Sequence, residues 1–221
     1  MRWQCMNVGV YFDIDGTLVS STTDDDELIP TADSFDLTLD EDAVKIHDQL
    51  VEQYFRRNIS DGYRRATEVW CEQYGFDLDS AAFTQQLKAE KIETTRQASD
   101  LTLLSTLAEN EDVQLGILTN GEGDIQRGKL ARHSLTDFFD PLLISGEQET
   151  MKPEDEMFQL AANALPAEQH VYVADHLASD IVPAQENGFV GVLIDEESSP
   201  VADLTLPSVA ALTSEKLTSL L

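Results

Sequence analysis

Val8-Gly9-Val10-Tyr11-Phe12-Asp13-Ile14-Asp15-Gly16-Thr17 joins a short apolar run to two carboxylates and a glycine. The run is partly β-branched and aromatic and stops at acid, as a buried strand feeding a loop does. If the strand ends between them, Asp13 and Asp15 face a common site, and Gly16 supplies an unusual backbone conformation behind them. Chemistry is therefore predicted at the carboxyl end of this strand. The string is only moderately specific by itself, because acidic pairs with glycine also occur in ordinary turns and calcium loops.

Three later elements share that form. Residues 113–118 make a second apolar run, and Thr119-Asn120-Gly121 follow it with a hydroxyl and backbone N–H groups suited to phosphate oxygens, although Thr and Asn after a strand also cap helices. Lys152-Pro153 come after Ser145-Gly146 and a short acidic loop. Pro153 is placed to open a helix, and the lysine suits an anion, with an exposed ion pair as its ordinary alternative. The run 171–174 ends at Asp175, with Asp180 five residues on, and two hard oxygen ligands near a strand end suit magnesium. Strand-like runs at 113–118, 142–145, 171–174 and 190–194 alternate with helical stretches near 124–133, 154–165 and 179–187. That order predicts right-handed βαβ units and a parallel sheet covered on both faces.

Between about residues 42 and 109 the period is helical instead, carried by Ala43, Ile46, Leu50 and Tyr54, by Tyr63, Ala66, Val69 and Trp70, and by Leu101, Leu104, Leu107 and Ala108. The preceding stretch from Ser20 holds Asp24, Asp25, Asp26 and Glu27 in a row with Pro30 close by, and reads as a solvated loop. The part from Thr22 to Thr38 is long for a connection, serving as a hinge or as a solvated insertion. The predicted organisation is an α/β core of residues 1–19 and 106–221 interrupted by a helical insert, 20–105.

A chain of 221 residues has room for one such core and a small inserted domain. Its 42 acidic against 14 basic residues, a formal charge of -28, repel nucleic acid and anionic lipid and leave small molecules as partners. With 42% of residues hydrophobic and regularly spaced, the acid belongs on a folded surface, as in proteins that work in concentrated salt, and a haloarchaeal source is expected. Cys5 and Cys71 lack the spacing of a zinc or redox motif and read as free thiols of a reducing compartment. No leader, membrane-length apolar run or repeat is visible, so a cytoplasmic protein is expected.

In this order the four elements resemble the four signature motifs of the haloacid dehalogenase superfamily. The run from Ser145-Gly146-Glu147 to Lys152-Pro153-Glu154 and Phe158 is similar to the corresponding segment of the subfamily with a helical cap after the first motif. The resemblance covers nearly the whole chain apart from the cap and implies a Rossmann-like parallel sheet. It implies Asp13 as nucleophile, Asp15 as general acid/base, and Thr119 and Lys152 on the transferring phosphoryl group, with Gly16, Asn120 and Gly121 also lining the phosphate. It further implies Mg2+ held by Asp13, the Asp15 carbonyl, Asp175 and Asp180. The implied activity is hydrolysis of a small phosphorylated metabolite through an aspartyl-phosphate, by a monomer or homodimer, and the acid at Asp15 speaks against carbon–halogen cleavage. A phosphotransferase or mutase of the same family is an alternative, as is a catalytically weak binding protein of this fold. A receiver domain is disfavoured by the helical insert.

The chain departs from the family's pattern at the fourth motif, where Ala174 stands for the usual Gly and His176 and Ser179 for small or Asn residues. His176 reads as a group beside the site or on the surface, with a substrate contact as the alternative, and His47, His133 and His170 show no partner spacing. In the cap, Arg56, Arg57, Arg64 and Arg65 either pair with nearby acids or reach an anionic substrate. Tyr54, Phe55, Tyr63 and Trp70 read as cap core first and as cavity lining second.

Overall fold

A computed structural model describes residues 7–21, 27–99 and 101–221. Cys5 and the acids Asp24, Asp25 and Asp26 lie outside the described residues.

Strand β1 (Val8–Phe12) is buried along its whole length, as its unbroken apolar run requires of a strand covered on both faces. A short strand β2 (Val19–Ser21) leads to helices α1 (Leu28–Ser34), α2 (Glu41–Arg56), α3 (Gly62–Tyr74) and α4 (Ser80–Glu93), and β3 (Thr95–Gln97) returns antiparallel to β2. The chain then alternates through α5 (Leu101–Ala108), β4 (Val113–Thr119), α6 (Gly123–Arg132), β5 (Leu142–Ile144), α7 (Asp155–Ala164) and β6 (Gln169–Ala174). A π-type turn (Leu177–Ile181), α8 (Val182–Glu186), β7 (Val190–Ile194), β8 (Leu204–Leu206) and α9 (Ser214–Leu220) complete it. Six strands form one parallel sheet in the order β5-β4-β1-β6-β7-β8, the α/β fold expected from the alternation. Because β1 is hydrogen-bonded to both β4 and β6, the carboxyl ends of those three strands are adjacent.

The pleat divides the core. Val8, Val10 and Phe12 join Ile117, Val171 and Val173 in one cluster, while Tyr11, Leu118 and Tyr172 join Phe158 and Ile181 in another. Leu103, Leu104 and Leu107 of α5 belong to the first of these. Their helical period groups them with the insert, but they pack under the sheet, so the insert's helices end before β3 and α5 is a core helix.

The insert has its own core around Trp70, Phe83 and Leu87, and the Trp70 indole donates to the Ala43 carbonyl at 2.8 Å. Local signals fix its helix ends. The Asp40 and Asp79 carboxylates accept N–H bonds from the first turns of α2 and α4, and Gly75 ends α3 in the left-handed conformation at φ 70°.

Several boundaries differ from the expected ones. The stretch read as a solvated loop contains α1, with Leu28, Thr31 and Ala32 buried. Glu27 is itself 4% exposed and accepts bonds from Lys91 at 2.8 Å and Thr94 at 3.1 Å. A seven-residue helix is too short to display a period, and its acidic approach masks it. Pro153 does not open α7, which starts two residues later after Glu154.

Burial pushes the Glu27 carboxyl up, but the Lys91 hydrogen bond and charge outweigh it, leaving the group below its usual range. A carboxyl lowered by folding stabilises above its unfolded pKa and ceases to do so as pH falls through the folded one. Glu27→Gln is therefore expected to lose about 2 kcal/mol at neutral pH, a deficit that shrinks in melts recorded at progressively acid pH. Among the described residues no helix is long and apolar enough to cross a membrane.

Candidate active site

A cavity of about 530 Å³ opens where β1, β4 and β6 end, and Asp13, Asp15, Gly16, Thr119, Asn120, Gly121, Lys152, Asp175 and Asp180 all line it. The four sequence elements are thus brought to one place.

Asp13 is anchored by main chain on both sides. Its N–H donates to the Val173 carbonyl at 3.0 Å, and its Oδ1 accepts from the Ile14 N–H at 2.7 Å. Its Oδ2 accepts from Lys152 Nζ at 2.9 Å. Lys152, 3% exposed, also donates to the Tyr172 hydroxyl at 2.6 Å and meets Asp180 Oδ1 at 2.5 Å. Burial pushes Asp13 above the usual carboxylate range, Lys152 opposing and Asp180 adding. Burial alone would lower the lysine, but Asp13 and Asp180 overcome it and the ammonium is raised, so it stays cationic. Burial likewise holds Tyr172 protonated, so its hydroxyl can donate to the Leu118 carbonyl at 2.8 Å.

Asp175 has no lysine or arginine partner among the described residues. Its Oδ1 is buried and has no hydrogen-bond partner among the described residues, and burial, reinforced by Asp13, pushes its carboxyl up to about 6. Carboxylate oxygens of Asp13, Asp175 and Asp180 lie within 4.8 Å of one another. Three hard oxygens converging around an orphaned one fit a divalent cation of the magnesium type.

The charge balance points the same way. Six carboxylates line the cavity, Glu27 and Glu122 being the two from outside the motifs, against Lys91, Lys129 and Lys152. Lys88 reaches Glu122 but is shared with Asp124, so the lining keeps an excess of negative charge for a metal to offset.

Asp175 also explains Gly16. A Cβ there would sit 1.8 Å from Asp175 Oδ2, and φ is +69°. Gly16→Ala is expected to displace that carboxylate and to cost about 1–2 kcal/mol in backbone strain. Isothermal titration should then register at least about tenfold weaker magnesium binding, the size of effect seen when a ligand's support is removed.

Asn120 and Gly121 line the cavity and are also hydrogen-bonded within the protein. Asn120 Nδ2 donates to the Lys152 carbonyl and its Oδ1 accepts from the Lys152 N–H, both at 2.9 Å. The Gly121 N–H donates to Ser145 Oγ at 3.1 Å, and its carbonyl accepts from Gly146 at 2.9 Å. Together they tie the lysine's loop to the end of β4. Thr119 hydrogen-bonds the Asp13 carboxylate and caps no helix.

Asp15, about half exposed, is held by residues that sequence reasoning did not single out. Lys129 Nζ contacts its two oxygens at 2.7 and 2.8 Å. The buried Gln126 Nε2 lies 3.0 Å from Asp15 Oδ2, 3.0 Å from Thr119 Oγ1 and 3.1 Å from the Asn120 carbonyl. Their signal was the three-residue spacing on one face of the helix after the second motif. Tyr172 offered none, since it reads as one more apolar residue of β6.

His176 is 75% exposed with Nε2 4.0 Å from Asp175, and it lines the cavity mouth without a tighter bond. From the insert, Phe55, Tyr63 and Lys91 close the cavity, whereas Trp70 stays in the insert core. Arg56, Arg64 and Arg65 pair with Glu52, Asp61 and Glu68 on the outer face, the ordinary alternative for surface arginines. The insert is tied down by Tyr63 N–H to Glu122 and Asn58 to the Gln148 carbonyl, each at 2.9 Å.

The model of the haloacid dehalogenase-like hydrolases matches residues 10–194. Glyceraldehyde 3-phosphate phosphatase of Methanocaldococcus jannaschii is 36% identical over 108 residues, 45% of this chain and 47% of that protein. Ribulose-1,5-bisphosphate 5-phosphatase of Halopiger xanaduensis is 39% identical over 94 residues, 41% of this chain and 39% of that protein. The chain thus spans less than half the length of these curated relatives. The magnesium-bound HAD-hydrolase YfnB of Bacillus subtilis shares the fold, with a TM-score of 0.67 at 20% identity over 97% of both chains.

Proposed function

The chain belongs to the haloacid dehalogenase-like hydrolase family, and from that membership we propose that it is a magnesium-dependent phosphatase of small phosphate monoesters. The observation that carries this reading is the buried Lys152 shared between Asp13 and Asp180, beside the unpaired oxygen of Asp175. Phosphatases among its relatives support it.

In this reading Asp13 is the nucleophile, held by the Ile14 N–H so that one oxygen stays directed into the cavity. A carboxylate cannot approach a phosphate dianion unless positive charge offsets the repulsion. Lys152 supplies part of that charge, and its ammonium is fixed by three oxygen partners before substrate arrives. Bound magnesium, held by Asp13, Asp175, Asp180 and the Asp15 carbonyl, would supply the rest and orient the phosphoryl oxygens. The Thr119 hydroxyl, accepting from Gln126, turns its proton toward Asp13 and the phosphoryl group. Asp13 then attacks phosphorus and the ester oxygen leaves with a proton from Asp15. Asp15 afterwards takes a proton from the water that hydrolyses the aspartyl-phosphate. The four-helix insert acts as the cap that excludes bulk water and contacts the leaving group.

The test is phosphate release from p-nitrophenyl phosphate in concentrated potassium chloride, where screening relieves the acidic surface. Release is expected with magnesium, should vanish with a chelator and should return on adding excess metal. Release that persists in chelator would remove the metal from the reading. A folded protein that releases none from this ester or from a panel of alkyl phosphates would overturn the reading itself.

A further inference from the structure

The cavity's cations are all spoken for, and that bears on what the phosphate is attached to. Lys152 is held by Asp13 and Asp180, Lys129 by both oxygens of Asp15, and Lys91 by Glu27 at 2.8 Å. Lys88 is held by Glu122 and Asp124. One divalent cation held by Asp13, Asp175 and Asp180 would not exceed the surplus of carboxylates in the lining, so the positive charge available to a phosphate is concentrated at Lys152 and the metal. The insert side is different. There Glu27 and Glu122, 4% and 5% exposed, face the cavity beside the rings of Phe55 and Tyr63 and the hydroxyls of Ser20 and Ser21.

We propose that this insert-side wall selects phosphate monoesters of neutral, polyhydroxylated alcohols and rejects those whose leaving group carries a second anion. The inference rests on the phosphatase reading and deepens it. A hydroxyl can donate to the Glu27 or Glu122 carboxylate while its carbon skeleton lies against Phe55 and Tyr63, which is how an apolar pocket with a few placed polar groups fixes orientation. A carboxylate or second phosphate in the same place meets two acids whose lysines are already neutralised. Among the described residues lining the cavity it finds each lysine already paired with a carboxylate, and like-charge juxtaposition of that kind is an effective way to exclude a wrong partner. Lys91 is the residue on which the selection turns, because its ion pair with Glu27 keeps its charge from the cavity.

The experiment compares kcat/KM for glycerol 3-phosphate and glucose 6-phosphate with that for phosphoglycolate, 3-phosphoglycerate and O-phosphoserine, at fixed ionic strength with magnesium. The neutral polyol esters are expected to exceed the carboxylate-bearing ones by about 30-fold or more, the size of discrimination a few like-charge contacts produce. Glu27→Gln, which releases Lys91, should narrow that ratio by about tenfold, mainly through KM of the anionic esters, and its circular dichroism is recorded to verify folding. If the variant does not fold, the native ratio decides alone. Preference of native protein for phosphoglycolate, 3-phosphoglycerate or O-phosphoserine overturns the inference while leaving the phosphatase reading standing. Release from none of the five esters and from p-nitrophenyl phosphate overturns both.

Discussion

Asp13→Asn is expected to lower phosphate release by about 10⁴-fold or more, the loss typical when a covalent nucleophile is removed, without lowering the melting temperature. The two halves of this expectation have different causes. Asparagine keeps the shape and still accepts from the Ile14 N–H, so the end of β1 stays in register, but its amide oxygen cannot form a phosphoryl ester that water then cleaves. Folding raises the Asp13 carboxyl above its usual range through burial and the neighbouring Asp180. For an acid the sign is that the ionised form is favoured less in the folded protein than in the unfolded chain. At neutral pH the charge of Asp13 therefore opposes folding in the absence of metal, and its removal leaves Lys152 with Asp180 as counter-ion. Phosphate release and thermal melting in chelator are the two measurements. A variant that keeps a tenth of the native rate would show that Asp13 is not the nucleophile.

The fold was legible where burial is two-sided. The runs 8–12, 115–118, 171–174 and 190–194 are apolar because they lie in the interior of a sheet covered by helices, and a parallel sheet follows from their alternation with helices. What was not legible depends on pairing at a distance. Strands β2 and β3 are three residues each and pair across 78 positions of chain at Val19 and Gln97, and three residues carry no period. Glu27 looked like the end of an acidic run, and partners far along the chain, Lys91 and Thr94, satisfy it as a buried residue.

The site divides along the same line. Residues at strand ends that bear the chemistry were visible as motifs, because a carboxylate or lysine after an apolar run is conspicuous. The residues that hold them were not. Gln126 and Tyr172 act through single atoms placed by the fold, and polar or aromatic residues in those positions look like ordinary helix surface or strand core. Asn120 was visible as part of the second motif, and its hold on the main chain of Lys152 is what the fold adds.

Lys152→Met is the second large expected effect, and its magnitude should depend on the metal. Methionine matches the length of the lysine stem but brings no charge, so Asp13 Oδ2, Asp180 Oδ1 and the Tyr172 hydroxyl lose their common donor. Breaking a buried pair by deleting one partner costs about 3–5 kcal/mol, because the other charge is left uncompensated. For a chain of this size that is about 10 °C in melting temperature. A divalent cation bound by Asp13, Asp175 and Asp180 would replace much of the missing charge, so the deficit measured with saturating magnesium should be clearly smaller than the deficit in chelator. Activity should fall by about 10²–10³-fold even with the metal present, since an electrostatic stabiliser of the transferring group is gone. The comparison of the two deficits is the informative quantity: equal losses with and without magnesium would mean that the metal does not share the carboxylates that Lys152 holds, and the site would have to be redrawn with the cation elsewhere.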